Sequence, residues 1–232
     1  MDWAHRHGGI VSLNHYFGTS FTMISHRFPR SREAFDASVA RLIEQRAFGV
    51  DLLEVGYRSR GHGLDAFLEM WDRLSAAGIR LVGIGTSDSH DAQTGWTSGP
   101  NNFVTWIYAR SVAEGDLIDG LRAGRAFFGD PTRFDGALDL VTAEGGRMGD
   151  VLRVAPGAQD VEVRADGLRP GQTVRVLRDG AEIGQHPSAG GSLRVHETLD
   201  VLVPTFVRVE VLEAGEVVAA SNPIHFVPTA GE

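Results

Sequence analysis

The sequence predicts part of a parallel α/β barrel followed by a small antiparallel β-sandwich. Three observations carry this. Residues 1–134 alternate helical patterns with short apolar runs, the order expected of a parallel sheet. Residues 135–232 change to strict alternation broken by glycine and proline turns. Between these patterns, the apolar run Arg80-Leu81-Val82-Gly83-Ile84-Gly85 leads into Thr86-Ser87-Asp88-Ser89-His90. That reads as a buried strand ending in a turn that presents a carboxylate and an imidazole. In a parallel barrel, functional groups collect at this edge.

Taken in order, Trp3 to Gly9 reads as the last turn of a helix closed by glycine, and Ile10 to Leu13 as a strand. Ser31 to Arg46 is helical, with Phe35, Val39, Leu42 and Ile43 on one face and Ser31 placed to cap it. Asp51 to Val55 is a strand. Leu64 to Ala77 is a helix with Leu64, Phe67, Leu68, Trp71 and Leu74 on one stripe, stopped by Gly78. Leu81 to Gly85 and Phe103 to Ala109 are strands, Ala113 to Ala123 a helix, and Arg125 to Phe128 a last short strand. In the second part, Leu138–Val141, Val161–Arg164, Thr173–Leu177, Leu193–Val195 and Phe206–Val211 alternate with period two. Asp179-Gly180 between apolar runs signals a hairpin. Short strands at this spacing predict a sandwich of immunoglobulin or fibronectin type.

Composition excludes several chemistries. The 232 residues contain no cysteine, which removes thiolate catalysis, disulfides and Cys-ligated metals. All 22 basic residues are arginine, so neither a Schiff-base lysine nor a phosphate-loop lysine exists. Residues 135–232 hold 8 Arg against 15 Asp and Glu, a net −7 within a total of −8. Such an acidic half disfavours nucleic acid. No window of about 18 apolar residues predicts a membrane span. The start has no secretory pattern, so the expected location is cytoplasmic or undetermined. Gly83-x-Gly85 lacks the further glycine of a dinucleotide loop, and no Gly-x-Ser-x-Gly elbow marks a serine hydrolase.

The chemistry-bearing candidates lie at strand ends. Asp88 and His90, two residues apart, have a spacing that suits divalent metals. The simpler alternative is a polar turn in which Asp88 caps a neighbouring segment. His15 ends the first strand as a metal ligand, or else as a core-edge histidine bonded to backbone. Glu54 lies at the end of the second strand and either joins the pocket or pairs with an arginine. His26 and His62 are candidate pocket residues from loops, and Arg27, Arg30, Arg58 and Arg60 are candidate anion contacts. His5 and His7 read as solvated helix-end residues.

Gly8-Gly9-Ile10-Val11-Ser12-Leu13-Asn14-His15, Leu53-Glu54-Val55, Trp71-Asp72-Arg73-Leu74 and Gly85-Thr86-Ser87-Asp88-Ser89-His90 resemble, in order, segments of the polymerase-and-histidinol-phosphatase (PHP) superfamily. Ser221-Asn222-Pro223-Ile224 in a β-rich tail resembles its CehA/McbA-like metallohydrolase branch more narrowly. The resemblance implies a distorted (β/α)7 barrel, here its C-terminal part over residues 1–134, with a β-sandwich over 135–232. It implies up to three divalent ions (zinc, manganese or iron), with His15, Asp88 and His90 as ligands. A metal-activated water would hydrolyse a phosphoester, carboxyl ester or carbamate, Asp88 orienting it or taking its proton. The expected partner is a small anionic or ester substrate. Tyr16 stands where the family has proline, and no earlier His-x-His pair has a counterpart. Four β/α steps do not close a barrel, so a missing upstream segment or a second chain is expected to cover the open edge. The alternative is a non-catalytic binding or accessory module with a degenerate or incomplete metal site.

Overall fold

The computed structural model describes residues 1–17, 32–57, 63–90 and 101–229. The chain divides into two compact units, Met1–Val104 and Thr105–Glu232.

In the first unit a short helix, α1 (Asp2–Arg6), precedes strand β1 (Ser12–Leu13). Helix α2 (Arg32–Glu44) leads through a tight turn into β2 (Leu52–Gly56). Arg46, Ala47 and Phe48 in that turn all have left-handed φ values. Helix α3 (Leu64–Ala76) then precedes β3 (Val82–Gly85). The three strands form one parallel sheet in the order β1-β2-β3. β2 is buried throughout, as a strand covered on both faces must be. The apolar stripe of α3, including Phe67, Trp71 and Leu74, is buried, and α3 packs on β2. Trp71 fixes the approach: its Nε1 donates to the Leu81 carbonyl at 2.9 Å. Its ring also occupies the space where a Cβ on Gly83 would stand, 2.6 Å away.

The second unit takes up β4 (Val104–Ile107), α4 (Glu114–Arg122) and β5 (Ala126–Gly129). Strands β6 (Ala137–Thr142), β7 (Val151–Val154), β8 (Gly157–Leu168) and β9 (Thr173–Arg178) follow. Then come β10 (Ala181–Pro187), β11 (Gly191–Val201), β12 (Thr205–Glu213), β13 (Glu216–Ser221) and β14 (Ile224–Pro228). The large sheet runs β10-β9-β12-β13-β5-β4, with β14 on β12 and β7 on β14. The small sheet runs β11-β8-β6, antiparallel throughout. Leu138, Leu140, Val161, Val163 and Val195 of the small sheet share a buried core with Val174, Val176, Val207, Val209 and Val218 of the large one. The two sheets therefore make a sandwich.

This corrects the predicted fold class. The described strands do not build a (β/α)7 barrel; the molecule is mostly β. The decisive segment is β5, expected to extend the parallel sheet. Ala219, Ala220 and Ser221 of β13 instead pair antiparallel with Gly129, Phe128 and Phe127. Small side chains permit this approach. A Cβ on Gly129 would stand 2.8 Å from the Val218 carbonyl oxygen. The run Ala126–Gly129 is buried on both faces and so carries no alternation to mark its neighbours.

Candidate functional site

Three chain segments meet at the C-terminal ends of β1, β2 and β3. His15 follows β1, Glu54 lies in β2, and Asp88 follows β3. His15 and Asp88 both have left-handed backbones, with φ of 51° and 52°. Aspartate and histidine tolerate that conformation better than most residues. His15 lies two residues past the end of β1 and Asp88 three past the end of β3.

Glu54 is the buried centre. Its Oε2 accepts the His15 backbone N–H at 2.8 Å and lies 2.5 Å from His15 Nδ1. The Thr86 hydroxyl donates to its Oε1. Burial pushes the Glu54 carboxyl up, and the bonds from Thr86 and His15 oppose that only in part. His15 Nδ1 is itself buried and makes no properly directed hydrogen bond, although it touches the carboxylate. The two facts agree: close contact does not supply the angle a hydrogen bond needs.

Asp88 forms the outer side. Its Oδ2 accepts the Tyr57 hydroxyl at 3.2 Å, and its Oδ1 lies 3.6 Å from His15 Nε2. The Tyr57 ring stands 5.0 Å from the His15 ring. His90 belongs only loosely. Its Nδ1 lies 2.8 Å from the Asp88 carbonyl oxygen and 3.7 Å from Oδ1, while the side chain is 83% exposed.

The structure thus brings His15, Glu54 and Asp88 together and leaves His90 turned towards solvent. His26 and His62 lie outside the described residues, as do Ser31, Arg27, Arg30, Arg58 and Arg60. His5 holds Asp51 at 2.8 Å, and His7 Nδ1 contacts the Trp3 carbonyl. Sequence reasoning missed Tyr57 and Thr86. Strict alternation sets Tyr57 opposite Glu54, but a register shift between Glu54 and Gly56 offsets it. Thr86 was visible inside the motif itself, between strand and carboxylate.

A tight site takes three or four ligands per ion, and among the described residues no group of three His, Asp or Glu could hold one. Glu54 accepts from the His15 N–H and the Thr86 hydroxyl, and Asp88 accepts from Tyr57 through one oxygen. No family model matches the chain, and no curated protein matches it. One similar solved structure is an NMR structure of the CARDB domain of a Pyrococcus furiosus protein. It is 15% identical, covers 41% of this chain and 97% of that one, and has a TM-score of 0.28, a likeness too slight to bear an argument.

The PHP resemblance and the metal-dependent hydrolase it implied are therefore corrected. Both rested on a barrel, and the chain folds as a mostly β molecule in which β4 and β5 belong to the large sheet of the sandwich unit. Among the described residues no helix is long and apolar enough to cross a membrane.

Proposed function

We propose that the protein is a non-catalytic binding or accessory module whose strand-end cluster serves the fold rather than a reaction. The observation that carries this is that both carboxylates of the cluster accept hydrogen bonds from the protein's own donors. Glu54 accepts from the His15 backbone and the Thr86 hydroxyl, and Asp88 accepts from Tyr57. A carboxylate that activates water must spend its lone pairs on that water or on its metal. Here they close one strand end against another. Small molecules are the partner class that suits it. The surplus of acidic residues in the second half would repel a phosphate backbone.

The test is turnover. The intact chain is incubated with phosphomonoester, carboxyl ester and carbamate substrates, with added manganese or zinc. The expected result is no hydrolysis above the blank. Hydrolysis abolished by Asp88→Ala would overturn the reading.

A further inference from the structure

β10 and β11 are both edge strands. β10 ends the large sheet and β11 ends the small one, each pairing with one neighbour among the described strands. β11 is 11 residues long. A long edge presents a row of unpaired backbone groups on which another strand can add. Lysine is the usual charge that blunts such an edge, and this chain has none.

Each of these edges instead turns an ionisable side chain inwards. Glu197 shares a face of β11 with Val195 and Leu199, both part of the sandwich core. His186 stands opposite the core residue Val174 across β10 and β9. The two side chains meet between the sheets, with His186 Nε2 3.1 Å from Glu197 Oε1. Gly184 leaves them room. A Cβ there would stand 2.6 Å from Glu197 Oε1 and 2.9 Å from His186 Nε2. The β10 ladder is also shifted between Glu182 and Gly184, and such a shift bends an edge.

Water still reaches the pair. The His186 side chain is 32% exposed and that of Glu197 20%. A strand added to either edge would remove that water. A carboxylate has room for several hydrogen bonds, and Glu197 has one side-chain partner among the described residues. Covering it would therefore bury an incompletely bonded charge, which is strongly unfavourable.

We propose that the His186–Glu197 pair keeps this side of the sandwich from pairing edge to edge with a second copy of the chain. The inference goes beyond the binding-module reading and does not depend on it.

The experiment is sedimentation velocity of the intact chain over a concentration series, with urea unfolding to report that each variant is folded. Replacing an ion pair by apolar side chains of similar volume is often neutral for stability. His186→Leu with Glu197→Leu should therefore stay folded, yet self-associate at about tenfold lower concentration than the parent. Adding Ile183→Lys, at an exposed position of β10, should reverse that change. Glu197→Gln keeps the shape and removes the charge, and should lower the concentration for association by about threefold. A folded double variant that associates no more readily than the parent overturns the proposal. So does association that Ile183→Lys leaves unchanged, which would place the contact on another surface. Should the double variant not fold, Glu197→Gln decides alone, and association equal to the parent's overturns the proposal.

Discussion

His15 and Glu54 meet through a single carboxylate oxygen: Oε2 accepts the His15 backbone N–H at 2.8 Å and touches its ring Nδ1 at 2.5 Å. This ties the end of β1 to the middle of β2. β1 is only two residues long, so its own ladder holds it weakly. The buried carboxylate does the remaining work.

Removing that carboxylate should loosen the sheet edge. Glu54→Ala removes the acceptor of the His15 N–H and the Thr86 hydroxyl; both are part-buried, so the loss should be about 1–3 kcal/mol in all rather than for each. Urea unfolding should show the loss, and hydrogen exchange should place it at β1. A variant as stable as the parent would contradict the assignment.

The same residue predicts a pH signature. Burial raises the folded Glu54 carboxyl above its ordinary value, so the folded state holds this proton more tightly than the unfolded chain. Its contribution is therefore greatest below the ordinary glutamate value and declines as pH rises through the raised folded value. The stability difference, wild type minus Glu54→Gln, should fall with rising pH over that window and then level off. A difference that climbs with pH has the wrong sign for this account.

Glu210 behaves in the opposite way. Burial alone would push its carboxyl up, but the guanidinium groups of Arg208 and Arg175 override burial and hold it low. Arg208 Nη1 lies 2.6 Å from Oε1, and both side chains are almost wholly buried. Glu210→Ala leaves a buried guanidinium without this carboxylate and should cost about 3–5 kcal/mol, read from urea unfolding. The Glu210 contribution is present above the ordinary glutamate value and disappears as pH falls through the lowered folded one. A loss confined to alkaline pH would refute the pairing.

Gly83 and Trp71 give a packing test. A Cβ on Gly83 would stand 2.6–2.7 Å from two carbons of the indole, closer than real contacts allow. Gly83→Ala should cost about 1–3 kcal/mol through overpacking and shift the Trp71 fluorescence as its bond to the Leu81 carbonyl is strained. Unchanged stability would mean that α3 can move freely off β3.

Local patterns in the sequence were readable; partners were not. The stripe from Leu64 to Leu74 is the buried face of α3. The alternating runs around Val163, Val176 and Val209 are strands, and Asp179-Gly180 joins β9 to β10 as a hairpin. Side-chain periodicity reports which faces are buried, and those elements each have one informative face. β5 has none, since all four of its residues are buried. Nothing local distinguishes a parallel neighbour from the antiparallel β13. The convergence of His15 with Asp88 followed from both lying at strand ends. The roles of Tyr57 and Thr86 did not, because they depend on a register shift in β2 and on a hydroxyl reaching Glu54 across the sheet.

Metal content tests the central claim most directly. Elemental analysis of the intact chain, with melting recorded before and after a strong chelator, should find no stoichiometric divalent metal and no change in melting temperature. Stoichiometric divalent metal that Asp88→Ala removes, together with a chelator-sensitive melt, would contradict a cluster that serves only the fold.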